Sequence, residues 1–221
     1  MKPEEILSKI DHSILKPTST EYEVIKGCEA VKSYGFATLC IFPKHIKTAV
    51  SFLPSEKIAT VIAFPLNSVT FSSILFEIEQ SITEGAKELD IVLNISAVKE
   101  RNWEKVEEEL KEIRKITDGF IIKLILECCY LIDEEKKIAG KIAVENGWDY
   151  LKTSTGYGKY GATEEDVKLL KEIAKGKAKV KASGGIRTFK DALKFINLGA
   201  DRIGTSSGEK IAREILHNRK I

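Results

Sequence analysis

Sulfur, histidine and long apolar runs are what this chain has least of. Its 221 residues hold four cysteines, three histidines and a single methionine, Met1. Cys28, Cys40, Cys128 and Cys129 have neither metal-ligand spacing nor the density of a disulfide scaffold, so small packing residues of a reducing compartment are expected. His12, His45 and His217 are far apart and join no cysteine or carboxylate ligand motif, and no metal is expected. No Gly-x-Gly-x-x-Gly turn follows an early strand, which weakens the case for a doubly wound dinucleotide-binding sheet. No cofactor is expected. No apolar run approaches membrane-spanning length, and Met1-Lys2-Pro3-Glu4-Glu5 has no apolar stretch behind it. The chain reads as cytoplasmic, without membrane contact. An excess of one charge sign is missing as well: 35 Lys and Arg stand interleaved with 33 Asp and Glu, for a net charge of +2. That balance offers no stripe for nucleic acid and makes any anion site local. Lysine far outnumbers arginine and Gln80 is the only glutamine, a bias that resembles heat-adapted proteins.

What is present is an even alternation of short apolar β-type runs and amphipathic helical segments. With 43% hydrophobic and 31% charged residues, no Pro/Ser/Gly linker and no shift in composition, residues 1–221 read as one domain with a substantial core. Strands are expected at 11–15, 36–41, 59–64, 89–93, 120–126, 150–153, 179–182 and 202–204. Thr20 with Glu23 spells a capping box for a helix ending near Gly35, and Asp133, Thr163 and Thr188 are candidate caps further on. Trp103, Val106, Leu110 and Ile113 fall on one helical face, with Glu and Lys around the rest. Ile138, Ala139, Ile142 and Ala143 make a similar stripe. Eight strand and helix pairs point to a (β/α)8 TIM barrel, an α/β fold, with a doubly wound open sheet as the alternative.

Two lysines sit inside apolar strands where lysine should be rare: Lys152 in Tyr150-Leu151-Lys152-Thr153 and Lys181 in Val180-Lys181-Ala182. An ammonium taken out of water costs several kcal/mol unless it is paired or gives up its proton. Burial and a second cation both favour the neutral amine, which can attack a carbonyl and form a Schiff base. Neighbouring barrel strands lie about 4.8 Å apart, so inward side chains at one height bring two amines within Coulombic reach. Outward-pointing lysines that snorkel to water are the bland alternative. Asp90, in Leu89-Asp90-Ile91-Val92, is a carboxylate that would compensate both lysines and could relay protons. Lys123, in Ile122-Lys123-Leu124, is a rival Schiff-base candidate or the partner that keeps Asp90 or Asp11 ionised. His12 is a candidate base but reads more readily as structural, and Cys40 as packing.

Glycine-rich turns follow strands seven and eight: Ser183-Gly184-Gly185-Ile186-Arg187 and Gly204-Thr205-Ser206-Ser207-Gly208. Amides at helix amino termini, with glycine allowing close approach, cradle anions, and barrels often hold phosphate at these two positions. Thr153-Ser154-Thr155-Gly156-Tyr157-Gly158 could add donors.

These residues resemble the deoxyribose-phosphate aldolases. The resemblance runs along nearly the whole chain, through Asp11-His12-Ser13-Ile14-Leu15-Lys16-Pro17, Cys40-Ile41-Phe42-Pro43, Glu88-Leu89-Asp90-Ile91-Val92-Leu93-Asn94, Leu126-Glu127, Lys152-Thr153-Ser154-Thr155-Gly156, Lys181-Ala182-Ser183-Gly184-Gly185-Ile186-Arg187-Thr188 and Gly204-Thr205-Ser206-Ser207. It implies a metal-independent class I aldolase, a lyase that reversibly cleaves 2-deoxy-D-ribose 5-phosphate to D-glyceraldehyde 3-phosphate and acetaldehyde in deoxyribonucleotide catabolism. Carried over by motif, Lys152 is the nucleophile, Asp90 and Lys181 are proton donors and acceptors, and Asp11 and Lys123 are network residues. Phosphate would meet Thr155, Gly156, Gly184, Gly185, Gly204, Ser206 and Ser207. The implied partners are small phosphosugars and aldehydes and, in a homo-oligomer, a second copy of the chain as a dimer or tetramer. The chain departs from some relatives at Tyr157, where a lysine can stand, and in a tail, Asn218-Arg219-Lys220-Ile221, without tyrosine. Another phosphosugar isomerase, epimerase or Schiff-base aldolase, and a silent phosphosugar sensor, are the competing readings.

Overall fold

A computed structural model of the chain describes residues 3–217. Eight parallel strands, β1 (Ile10–Ile14), β2 (Thr38–Ile41), β3 (Ile58–Ile62), β4 (Glu88–Val92), β5 (Ile121–Ile125), β6 (Tyr150–Lys152), β7 (Lys179–Ser183) and β8 (Arg202–Thr205), close in sequence order. The seam pairs Asp11 on β1 with Gly204 on β8. Helices α1 (Pro3–Leu7), α2 (Glu21–Tyr34), α3 (Ile46–Val50), α4 (Phe71–Glu84), α5 (Ile95–Lys99), α6 (Trp103–Ile116), α7 (Asp133–Glu145), α8 (Glu164–Ala174), α9 (Phe189–Asn197) and α10 (Gly208–His217) complete a (β/α)8 TIM barrel. The open sheet is excluded by the closed strand order.

Local signals explain most boundaries. Thr20 and Glu23 form the capping box of α2, which stops where Gly35 takes the left-handed conformation, φ 69°. Thr163 and Thr188 cap α8 and α9. Asp133 does not cap α7 but is its first residue; the Ile132 N–H before it donates to Glu135 Oε2 at 2.9 Å. On that helix Ala139 and Ala143 are buried with Gly140, while Ile138 and Ile142 are only half-buried, because Gly140 lets α7 approach Ile173 of α8. β3 ends two residues earlier than expected, where Ala63 turns to φ 54°. On α6, Val106, Leu110 and Ile113 face the barrel, each burial contributing about 1.5–3 kcal/mol.

Strand parity divides the core in two. Ile10, Leu39, Ile58, Leu89, Ile122, Leu124, Leu151, Val180 and Ile203 belong to a large apolar shell shared with the helices. Inside the barrel Cys40, Ala59 and Val61 form a small separate apolar cluster. Much of the rest of the interior is charged, as ion pairs that cross it demonstrate: Arg202 on β8 reaches Glu88 on β4, four strands away, at 3.2 Å. Such interiors are ordinarily filled by Val, Ile and Leu.

Candidate active site

Seven charged side chains meet inside the barrel, and six of them close a ring in which signs alternate. Asp90 Oδ1 lies 2.9 Å from Lys123 Nζ, and Lys123 lies 2.5 Å from Glu88 Oε2. Glu88 Oε1 meets Arg202 at 3.2 Å, and Arg202 meets Asp11 Oδ1 at 2.5 Å. Asp11 Oδ2 meets Lys181 Nζ at 2.5 Å, and Lys181 returns to Asp90 Oδ2 at 2.7 Å. Lys152 is the seventh group, its Nζ 2.6 Å from Asp90 Oδ2. The pairing register accounts for the encounter: Asp90 lies beside Lys123, Lys152 beside Lys181, and Lys181 beside Arg202 on adjacent strands. All three lysines therefore point inward, against the snorkelling alternative.

Burying ion pairs is at best roughly neutral for stability against apolar packing, so the ring is poorly explained as a brace alone. Asp90, Asp11, Lys123 and Lys181 hold their charges firmly. Burial opposes ionisation of Asp90 and Asp11, yet Lys123, Lys152 and Lys181 around Asp90, and Lys181 and Arg202 around Asp11, hold both below the usual carboxylate value of 3.8. Burial likewise opposes charge on Lys123 and Lys181, but two carboxylates each raise both above the usual 10.5. Lys152 goes the other way. Burial lowers its hold on a proton, the Asp90 carboxylate works against that, and the Lys181 ammonium adds to the lowering. Lys152 is thus the lysine of the three suited to be a neutral amine, and Lys123 is better read as partner to Asp90 and Glu88 than as a rival. Cys40, also inside, has its thiol pushed up to about 11 by burial and is no thiolate at neutral pH.

A cleft of about 250 Å³ opens at the carboxyl ends of the strands, and among the seven charged groups Lys152 alone lines it. Thr155, Gly156, Gly184, Gly185, Gly204 and Ser206 also line it, as do Lys16, Tyr157 and Arg187. Gly184 has φ +87° and packs so closely on the β6–α8 loop that a Cβ would stand 2.8 Å from Gly161 Cα. The amides expected at the start of α9 are already taken: Arg187 and Thr188 N–H donate to Asp191 Oδ2, and Phe189 N–H donates to Glu214 Oε2. Of the turn before α9, what faces the cleft with uncommitted backbone is therefore the glycine loop rather than the helix terminus. Ser207 does not line the cleft; its N–H donates to Thr205 Oγ1 at 2.9 Å. Thr155 lines it with its donors spent, since its N–H (3.1 Å) and its hydroxyl both go to Glu127 Oε2. Glu127, buried in a left-handed conformation at φ 50°, so fixes the loop.

Tyr157 hydroxyl donates to the Leu15 carbonyl at 2.5 Å and its ring meets Phe64 edge-on, spanning the mouth from β6 to β1. His12 alternates with Asp11 and faces outward, packed against Phe36 at 5.6 Å beside Gly208, so it is structural. The tail 218–221 lies outside the described residues. Sequence reasoning did not single out Glu88, Arg202, Lys16 or Arg187 for the site. Glu88 is two residues before Asp90, on the same strand face, and that parity was the signal available.

A model of the DeoC/LacD family of aldolases matches residues 6–214. The deoxyribose-phosphate aldolase of Dictyoglomus turgidum is 46% identical over 209 residues, covering 94% of this chain and 95% of its own. A solved structure described as "QR15, an Aldolase" has a TM-score of 0.93 at 43% identity, covering 97% of each chain. Another, described as a unique tetrameric structure of deoxyribose phosphate aldolase from Aeropyrum pernix, has a TM-score of 0.90 at 32% identity and covers 97% of this chain and 92% of that one. The family model spans all eight strands of the barrel, and the chain belongs to the DeoC/LacD family of aldolases.

Proposed function

We propose that this aldolase reversibly cleaves 2-deoxy-D-ribose 5-phosphate to D-glyceraldehyde 3-phosphate and acetaldehyde through a Schiff base on Lys152, in deoxyribonucleotide catabolism in the cytoplasm. The observation that carries the reading is the position of Lys152, the one charged group shared by the buried ring and the cleft. Neutral Lys152 attacks the aldehyde carbon of the open-chain sugar; loss of water gives an iminium. Removal of the C3 hydroxyl proton then breaks the bond between C2 and C3. The electron pair passes to the iminium and leaves an enamine, and glyceraldehyde 3-phosphate departs. Protonation at C2 and hydrolysis release acetaldehyde and the free amine.

The proton relay is Asp90 with Lys181. Asp90 Oδ2 touches both amines, so a proton that the Lys181 ammonium gives up through Asp90 and water to the reacting carbon is replaced by the one removed from the C3 hydroxyl, and the ring regains its charge over the cycle. Phosphate sits against Gly184, Gly185, Gly204 and Ser206, with Gly156 packed beside Gly184 and Lys16 and Arg187 lining the same cleft. Thr155 shapes that cleft through Glu127. The enzyme works as a homo-oligomer, a reading supported by the tetrameric relative. Release of acetaldehyde from 2-deoxyribose 5-phosphate, followed by a coupled reduction, tests the reaction; a protein that binds the sugar phosphate and releases no acetaldehyde would be a sensor instead.

A further inference from the structure

Arg202 and Glu88 touch neither the cleft nor Lys152, yet without them the ring is open. Each of the three carboxylates divides its two oxygens between different cations: Asp90 between Lys123 and Lys181, Asp11 between Lys181 and Arg202, Glu88 between Arg202 and Lys123. Three acids and three bases cancel, so the ring is electrically balanced only while Lys152, a third cation on Asp90, is uncharged. The side chains are sealed from water, Arg202 at 14% exposure being the most open of the six. In such surroundings a change of one charge anywhere on the ring reaches the amine with little screening.

We infer that Arg202 and Glu88 are positioning residues for Lys152, fixing the charge balance of the ring to which its amine is attached. This rests on the reading of Lys152 as the nucleophile. The groups that face the ring and the amine are Asp11 from β1, Cys40 from β2, Glu88 and Asp90 from β4, Lys123 from β5, Tyr150 from β6, and Lys181 from β7. Lys179 lies over Tyr150 with Arg202 and Lys123, each 5.6–5.8 Å from the ring centre. Removing the Arg202 cation leaves the ring with an excess of negative charge and a proton on Lys152 is favoured. Removing the Glu88 anion has the opposite effect. A simple brace predicts something else: lost stability and lost rate in both variants, with an unmoved pH dependence.

The test is the pH dependence of borohydride trapping with acetaldehyde, measured on proteins whose melting shows them folded. Arg202→Gln moves the profile to higher pH by about one unit, with about a tenfold loss below it that is recovered in alkali. Glu88→Gln moves it to lower pH, Arg202→Lys leaves it in place, and the double variant E88Q/R202Q returns toward the parent. Unmoved profiles, shifts in one common direction, or losses that simply add in the double variant overturn the inference. If R202Q does not fold, the direction of the E88Q shift decides alone. Failure of the parent protein to be trapped on Lys152 would remove the functional reading itself; trapping with unmoved profiles removes only the role of Arg202 and Glu88.

Discussion

Lys152 and Lys181 share one oxygen atom: Asp90 Oδ2 lies 2.6 Å from the first amine and 2.7 Å from the second. Two ammonium groups on one carboxylate oxygen repel each other strongly, and Lys181 has Asp11 as a second anion while Lys152 has none among the described residues. The proton deficit therefore falls on Lys152, the amine that faces the cleft. Chemistry and electrostatics converge on the same residue for independent reasons.

Lys181→Met removes the like charge and leaves Asp90 Oδ2 to Lys152, with Lys123 still on Oδ1. Lys152 then holds its proton, and trapping at neutral pH falls about a hundredfold with partial recovery in alkali. A stopped-flow or quenched trapping series across pH checks this. A loss of equal size at every pH would mean that Lys181 acts only in proton transfer.

Asp90→Asn leaves Lys123, Lys152 and Lys181 facing a neutral amide. Breaking buried pairs by removing one partner costs about 3–5 kcal/mol, so the variant melts well below the parent and has no measurable turnover. Asp90→Asn with an unchanged melting temperature would mean that the ring carries little of the fold's electrostatic energy.

Stability should fall in acid as the two aspartates of the ring are protonated. Asp90 and Asp11 have folded values below 3.8, so the stability they contribute is present above that value and is lost as pH falls toward the folded ones. Lys123 and Lys181 have folded values above 10.5, so their contribution is complete below 10.5 and is lost only as pH rises through the folded values. Lys152 has a folded value below 10.5, so its contribution runs the other way: stability is lost as pH falls from 10.5 toward the folded value and is constant below it. Urea midpoints that rise on acidification below about pH 4 would contradict the assignment of charges.

Gly185→Ala tests the anion cradle without disturbing the ring. A Cβ there has open space but a backbone at φ +79°, so the fold loses about 1–2 kcal/mol while a methyl enters the loop that faces the cleft. The KM for 2-deoxyribose 5-phosphate rises about tenfold, and trapping with acetaldehyde, which has no phosphate, is unchanged. Equal losses with both compounds would place Gly185 in the support of Lys152 instead.

Much of the site was legible in the sequence because charged residues interrupt apolar strands at Asp90, Lys123, Lys152 and Lys181, and period two puts them on one face. The glycine turns at Gly184 and Gly204 were legible for the same reason, by type and position. Arg202 and Glu88 were not, since a charge at the first position of a strand looks like any solvated strand end. Only closure of the barrel brings them together across four strands. The commitments of single donors were equally hidden: nothing local says that Thr155 gives its hydroxyl to Glu127, that Ser207 turns its amide to Thr205, or that Asp191 occupies the amides before α9.

Borohydride reduction in the presence of acetaldehyde, followed by peptide mass mapping, tests the central claim most directly. The account predicts a single reduced two-carbon adduct on the peptide that contains Lys152, absent from Lys152→Ala. An adduct on Lys181 or Lys123, or a protein that turns over sugar phosphate and is never trapped, would contradict it.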